Sequence, residues 1–261
     1  MSEAPGASDP QHQLEATLVS ATGGYLRNTL RIPGETCLIC TTTVDPGATY
    51  CWPCASHRSA GSDRPTADYV GILTYAIENT QSHYVMRGYK APQPVRIKEH
   101  RNIVSLLCFV GLWHHARCVE RLAGRRITHW ATVPSLPAKS GEHPLHALVS
   151  PMLSRLPELA LAAATTATAP RAFRADHFRA VGSLPPGSHV LVIDDTWTSG
   201  GHAQSAALTA RRAGAATVSV LSLARYFKPT YGDNKEFIAK HLTRDYDPTW
   251  CPWTDDGSCP S

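Results

Sequence analysis

The chain has 261 residues, 43% hydrophobic and 18% charged, with 18 Gly and 20 Pro, which suits one large globular domain or one domain with an appendage. Its net charge of +4 is mild and its basic residues are dispersed, so charge suits an anionic ligand or weak nucleic-acid contact without predicting either. No run reaches the roughly 18 apolar residues that cross a bilayer, and the opening MSEAPGASDPQHQ has no basic segment followed by an apolar one. No membrane span and no secretory signal are expected, and the expected location is cytoplasmic.

Residues 1–13 read as a disordered leader. LEATLVSATGGYLRNTLRI follows as a short, Gly-interrupted amphipathic helix, then CLICTTTVDPGATYCWPC, so that 14–58 forms a helix plus a four-cysteine module. The polar stretch SHRSAGSDRPTAD is a linker. From Tyr69 strands and helices alternate. YVGILTYAI, THWATVPS, HVLVIDD and TVSVLSLARYF read as strands, and NIVSLLCFVGLWHHARCVERLAG, HPLHALVSPMLSRL and GHAQSAALTARRAGA as helices. ELALAAATTATAPRAF stays ambiguous between strand and helix. Near-continuous apolar strands separated by helices predict an α/β fold over 69–228, with a mostly parallel sheet flanked by helices and a small N-terminal module. Residues 229–261, ending in DPTWCPWTDDGSCPS, form a C-terminal extension that Trp250, Cys251, Trp253 and Cys259 would pack on the cysteine module, a loose tail being the alternative.

Cys37, Cys40, Cys51 and Cys54 make two Cys-x-x-Cys turns separated by ten residues, with DPG reversing the chain between them. Each turn supplies two soft ligands at tetrahedral separation, so structural Zn2+ is expected, with no open position for catalysis. Reduced core cysteines and redox pairs are the alternatives; two tandem turns in a chain without an export signal favour metal. The module has no Lys or Arg between its cysteines, which weighs against a nucleic-acid finger. Cys108, Cys118, Cys251 and Cys259 are scattered, and the adjacent His114 and His115 point to different faces of a helix, read as surface or core polar residues.

VLVIDDTWTSGGHA carries the chemistry. A strand, a tight Gly-rich loop and a helix together grip phosphate through backbone N–H groups and the helix N-terminus. Thr198 and Ser199 add hydroxyls, and Gly200 and Gly201 allow close approach, yet the loop is neither a Walker loop nor a dinucleotide fingerprint. Asp194 and Asp195 would repel phosphate and must face another part of the ligand, for which a vicinal diol fits. A phosphate a few ångströms from a sugar diol describes a ribose 5-phosphate. A chance acidic pair before a Gly turn is the alternative.

The stretch resembles the 5-phosphoribosyl-1-pyrophosphate (PRPP) motif of type I phosphoribosyltransferases. Joined to the four cysteines, it resembles the ComF/GntX family, competence protein F and relatives, over most of 37–227. The resemblance implies that Asp194 and Asp195 contact the ribose hydroxyls, with Asp195 the nominee for general base. It implies that the Thr198, Ser199, Gly200, Gly201, His202 loop holds the 5′-phosphate, with Thr196 also substrate-binding, although His202 replaces the usual Thr and Trp197 is a bulky spacer. By the same mapping, Ser135 to Lys139 in ATVPSLPAKSG line a pyrophosphate site, and Arg87 and Lys90 in YVMRGYKAP contact anions, a solvated helix face being the alternative for these two. RAFRADHFRAV falls where the family carries an Arg-containing stretch. The family's Arg-Gly-Phe-Asn-Gln stretch is missing; here the region reads SGEHPLHALVS, and neither His143 nor His146 replaces its guanidinium.

The implied reaction is displacement of pyrophosphate from ribose C1 by a nitrogen nucleophile, with Mg2+ on the pyrophosphate and diol oxygens. A non-catalytic PRPP-binding protein or a DNA-uptake accessory is the alternative that the same resemblance raises.

Overall fold

The computed structural model describes residues 9–59, 66–91, 95–164 and 171–261. Most of the expected leader, the centre of the expected linker (60–65) and the later part of the ambiguous Ala/Thr-rich segment (165–170) lie outside the described residues.

Helix α1 spans Pro10–Thr22, four residues ahead of the expected start, because Asp9 caps it: its carboxylate accepts from Gln11 N at 3.1 Å and Pro10 occupies the first turn. The helix ends at Gly23–Gly24, short of the expected residue 32. The chain beyond runs beside the sheet instead, with Asn28 bridged antiparallel to Thr74 and Tyr75 N donating to Arg27 O. Helix α2 (Trp52–Ser59) begins inside the second Cys-x-x-Cys turn. Strand β1 (Tyr69–Ile77) is followed by helices α3 (Gln81–Gly88) and α4 (Ile97–Ala123), then by β2 (His129–Thr132) and α5 (Pro144–Val149). The helix expected over 143–156 stops at Val149, since Pro151 cannot donate to the helix and disfavours helical geometry at Ser150. Short strands β3 (Leu161–Ala163) and β4 (Phe178–Ala180) form an antiparallel pair. Strand β5 (His189–Trp197), helix α6 (Gly201–Arg212), strand β6 (Thr217–Phe227) and helix α7 (Asn234–His241) complete the order.

The main sheet runs β1-β6-β5-β2, all parallel, with Asp194 opposite Ser222 and Trp197 opposite Arg225. It is the expected mostly parallel sheet flanked by helices. Because side chains alternate along a strand, β5 feeds two cores. Leu191 and Ile193 pack with Leu73, Leu221 and the α4 residues Val104, Leu107 and Val119. Val190 and Val192 pack on the other face with Val218, Val220, the α6 alanines 203, 206, 207 and 210, and the four module cysteines. Burial on both faces explains why these strands are almost wholly apolar.

By length and composition alone α4 is apolar enough to cross a membrane, but half of the relevant window is buried inside the protein, as in a core helix. Its apolar residues are those that fill the first core.

Candidate functional site

In a parallel α/β sheet, ligands bind outside the carboxyl ends of the strands. Here those ends bring together Glu78 and Asn79 after β1, the 133–143 loop after β2, Asp194 to Gly201 from β5, and Tyr226 from β6.

The two aspartates, adjacent in sequence, point to opposite faces of β5. Asp195 faces α3, where it accepts from Tyr89 Oη at 2.5 Å and pairs with Lys90 Nζ. Asp194 lies on the α6 side and lines a small cavity of about 80 Å³ with Arg171, Thr196 and Thr198 to Ala203. Both carboxylates are more than nine-tenths buried. Burial and then the neighbouring negative charge of Asp195 push Asp194 up to about 7. Burial opposes ionisation of Asp195 too, but Lys90 and Tyr89 outweigh it and hold that group below the ordinary carboxylate range. The pair is thereby split into one carboxyl ready to hold a proton near neutrality and one fixed anion.

The loop after β5 is built around Trp197, which is wholly buried. Gly200 has φ +83°, and a Cβ there would lie 2.2 Å from the Trp197 ring. At Gly201 a Cβ would lie 2.2 Å from Arg171 O, so the 171–172 backbone rests directly on the start of α6. Ser199 Oγ donates to the same Arg171 carbonyl at 2.9 Å. Among the described residues no side chain caps α6. The partial positive charge at a helix start favours an anion. Arg225 reaches across from β6 and donates to the carbonyls of Trp197 (3.0 Å) and Thr198 (2.7 Å), fixing the loop from behind. Burial and the nearby His177 push His202 down to about 4, so its imidazole is neutral near pH 7, and its buried Nε2 has no hydrogen-bond partner among the described residues.

Two larger cavities adjoin. One, of about 570 Å³, is lined by Arg87, Lys90, Arg171, Thr196, Thr198, Glu78 and Tyr226. The other, of about 490 Å³, is lined by Lys90, Ser135, Lys139, His143, His146 and Glu158. Lys90 borders both, and Arg171 joins the first to the cavity at the 198–203 segment. Arg87, Lys90, Ser135, Lys139, Asp194, Thr196 and Thr198 to His202 border these cavities and Asp195 is held by Lys90, whereas Leu136, Pro137 and the buried Trp197 do not line them. A cavity of about 850 Å³ beside the C-terminal end of α4 contains none of them. In the 142–158 region His146 is clamped between Glu142 Oε1 (2.6 Å) and Glu158 Oε1 (3.1 Å) and stacks on Trp130, while His143 Nδ1 accepts from Leu145 N. No guanidinium lines that cavity among the described residues.

Tyr89 and Arg171 stand in the stretches YVMRGYKAP and RAFRADHFRAV that the resemblance marked, but neither was named as a site residue, and Arg225 was not picked out. Arg225 had a signal, a lone charge inside the apolar run TVSVLSLARYF; the contacts that give Tyr89 and Arg171 their place appear only in the fold.

The four module cysteines are buried in the same core as Trp197 and Ala203, which flank the 198–202 segment. Their sulfurs lie within 4.8 Å of one another, with Cys40 and Cys51 at 3.5 Å. Tetrahedral zinc with bonds of about 2.3 Å separates sulfurs by about 3.8 Å, so the donor set fits that ion. The module is tied to the sheet by Tyr75 Oη, which donates to Thr41 O at 2.8 Å.

No family model and no curated protein matches the chain. Among solved structures it is similar to an adenine phosphoribosyltransferase, at 16% identity over 51% of this chain and 82% of that one, with a TM-score of 0.33. It is also similar to adenine phosphoribosyltransferase from Leishmania donovani, at 15% identity over 77% of this chain and 91% of that one, with a TM-score of 0.36. Leishmania donovani UMP synthase matches at 16% identity over 64% of this chain but only 36% of its own length, with a TM-score of 0.31. Likenesses this distant leave the function to be argued from the crevice itself.

Proposed function

We propose that the crevice binds 5-phosphoribosyl-1-pyrophosphate and that the protein transfers its phosphoribosyl group to a nitrogen acceptor, releasing pyrophosphate. The observation that carries this reading is the uncapped start of α6, with its Gly200–Gly201 loop, set beside the Asp194–Asp195 pair at the carboxyl end of a parallel sheet. A phosphate at the loop leaves the carboxylates to a sugar diol, and Arg87, Lys90, Arg171 and Lys139 offer positive charge to a second, larger anion.

In this reading Thr198 to His202 hold the 5′-phosphate through backbone N–H groups and hydroxyls. Asp194, on the α6 side of β5, accepts from the ribose hydroxyls, and Asp195, on the opposite face with Tyr89 and Lys90, supplies a fixed negative charge beside the ring. Ser135 and Lys139 meet that pyrophosphate from the β2 side. As the bond from C1 to pyrophosphate breaks, positive charge grows on the ribose ring and negative charge on the leaving oxygens. Catalysis then consists of orientation and preorganised charge, with the carboxylates near the ring and Lys90 and Lys139 near the leaving group. Mg2+ accompanies pyrophosphate as part of the substrate, neutralising the leaving group. Zn2+ belongs to Cys37, Cys40, Cys51 and Cys54, where it supplies a rigid backing for the phosphate loop and no chemistry. Thiolate ligation of this kind suits a reducing, cytoplasmic location.

The second reading, a PRPP-binding protein without turnover, including a DNA-uptake accessory of ComF type, is favoured by the pyrophosphate-side cavity, where Glu142, His146 and Glu158 stand in place of a free guanidinium. Calorimetric titration with PRPP and Mg2+ tests the shared premise: micromolar binding is expected for the native chain and none for the Asp194→Asn/Asp195→Asn variant. Absence of binding to the native chain refutes both readings. Pyrophosphate release with a panel of nitrogen acceptors then separates transferase from binding protein.

A further inference from the structure

His115 and Cys118 lie one turn apart on α4, and Cys251 and Cys259 lie in the C-terminal extension. The fold brings all four together. One ligand atom from each lies within 4.8 Å of every other. Cys118 Sγ is 3.9 Å and Cys259 Sγ 3.6 Å from His115 Nδ1. We infer that these four residues form a second structural zinc site, of Cys3His type, that fastens the C-terminal extension to α4.

The donor chemistry is specific. Three sulfurs and one imidazole nitrogen at tetrahedral spacing select zinc over the oxygen-seeking divalent cations. The histidine is already prepared as a ligand. Its Nε2 lies 2.9 Å from Pro248 O, so the proton sits on Nε2 and Nδ1 keeps a free lone pair directed at the sulfurs. His115 O accepts from Trp253 Nε1 at 3.0 Å, which holds the extension against the same turn of α4. The two extension cysteines are set by their own turn: Cys251 N donates to Gly257 O at 2.8 Å, and Gly257, at φ +75°, lies against the Trp250 ring. His115, Cys118 and Cys251 are buried, and Cys259 closes the group from the solvent side. A disulfide is the competing use of such cysteines, but it takes two sulfurs and leaves a third thiol and an imidazole lone pair converging on nothing. A metal uses all four.

The site is also where the extension needs a fastening, since residues 243–261 contain neither helix nor strand. Arg31 reaches them with bonds to Pro252 O (2.7 Å) and Thr254 O (3.2 Å), and Arg121 donates to Pro260 O. Asn28 exchanges two bonds with Asp247, and Trp250 Nε1 donates to Thr29 O at 3.1 Å; to these a closed zinc site adds a binding energy that is folding energy.

The test uses the full chain purified under reductant. Metal analysis is expected to give two zinc ions per chain, falling to one in Cys251→Ser/Cys259→Ser and to one in Cys37→Ser/Cys40→Ser. Where either variant does not fold, the native chain decides through Cys259, which is exposed and would react readily as a free thiol. In the metal-loaded protein its alkylation by a maleimide should be at least ten-fold slower than after chelation, and chelation should make the extension cleavable by protease. Cys259 reacting at a free thiol's rate in the metal-loaded protein overturns the inference. So does a disulfide among Cys118, Cys251 and Cys259 in protein kept reduced, or a zinc count that the extension variant leaves unchanged.

Discussion

Replacing Asp194 by Asn should make the ligand-free protein more stable while abolishing its proposed ligand binding. Burial and the charge of Asp195 raise the Asp194 carboxyl from 3.8 to about 7. A carboxyl that binds its proton more tightly in the folded than in the unfolded chain loses stability as pH rises between those two values, and bears the whole cost above the higher one. Three pKa units at about 1.36 kcal/mol each put that cost at about 4 kcal/mol from pH 7 upward. Asparagine removes the charge but leaves an amide to be partnered in the same buried place, so a gain of about 2 kcal/mol is expected at pH 8. In a chain of this size that is roughly 4–8 °C in Tm. The gain should shrink toward zero as pH falls through 4 toward 3, since only below the unfolded-state value of 3.8 is Asp194 mostly protonated in both states. Thermal unfolding of both proteins from pH 4 to 8, without ligand, measures it. A variant no more stable than the native chain at pH 8, or stabilised equally at pH 4 and pH 8, refutes the account of a buried, charge-strained carboxyl.

Two further positions probe the phosphate loop. Arg225→Met removes the donor to the buried Trp197 carbonyl and to the part-buried Thr198 carbonyl. A loss of about 2–4 kcal/mol is expected by denaturant titration, together with weaker PRPP binding, of which Arg225→Lys should recover only a part because an ammonium cannot reproduce the guanidinium fork. Gly200→Ala forces a side chain into positive φ and against the Trp197 ring, so a loss of about 2–4 kcal/mol and a shifted tryptophan emission are expected; an alanine variant with native stability and spectrum contradicts the described loop geometry.

Much of the fold was legible because buried parallel strands leave an unambiguous pattern. YVGILTYAI and TVSVLSLARYF are β1 and β6 to the residue, and HVLVIDD is β5 short of two positions. Boundaries failed where a local break outweighed periodicity, at Gly23–Gly24 and at Pro151. Helices α2, α3 and α7 went unseen: at eight residues each they are too short for a stable apolar stripe, and tertiary contacts hold them. In the crevice, linear proximity served well for Asp194 to His202, since the whole motif occupies one strand-loop-helix unit. It served poorly for Tyr89, Arg171 and Arg225, which meet the motif through bonds that span 27 or more residues. Sequence also paired the aspartates as one clamp, whereas strand alternation sends them to opposite faces with opposite electrostatics. The Cys-x-x-Cys turns announce themselves; His115, Cys118, Cys251 and Cys259 do not, because helix and extension meet only after folding.

The strand order has a consequence for how the chain is made. β6 lies between β1 and β5, and the register pairs Tyr69 with Ser219. A ribosome adding roughly 5–20 residues per second needs on the order of 10–30 s to span that separation. For that time the apolar β1 has emerged and its strand partner does not yet exist. β2 likewise waits for β5, and the sheet closes only when its last strand slots into the middle. Such long-range parallel pairing is slow to form and exposes strand edges meanwhile. Nascent chains should therefore depend on chaperones until residue 227 clears the exit tunnel, and a chain cut before that point should aggregate rather than fold in part.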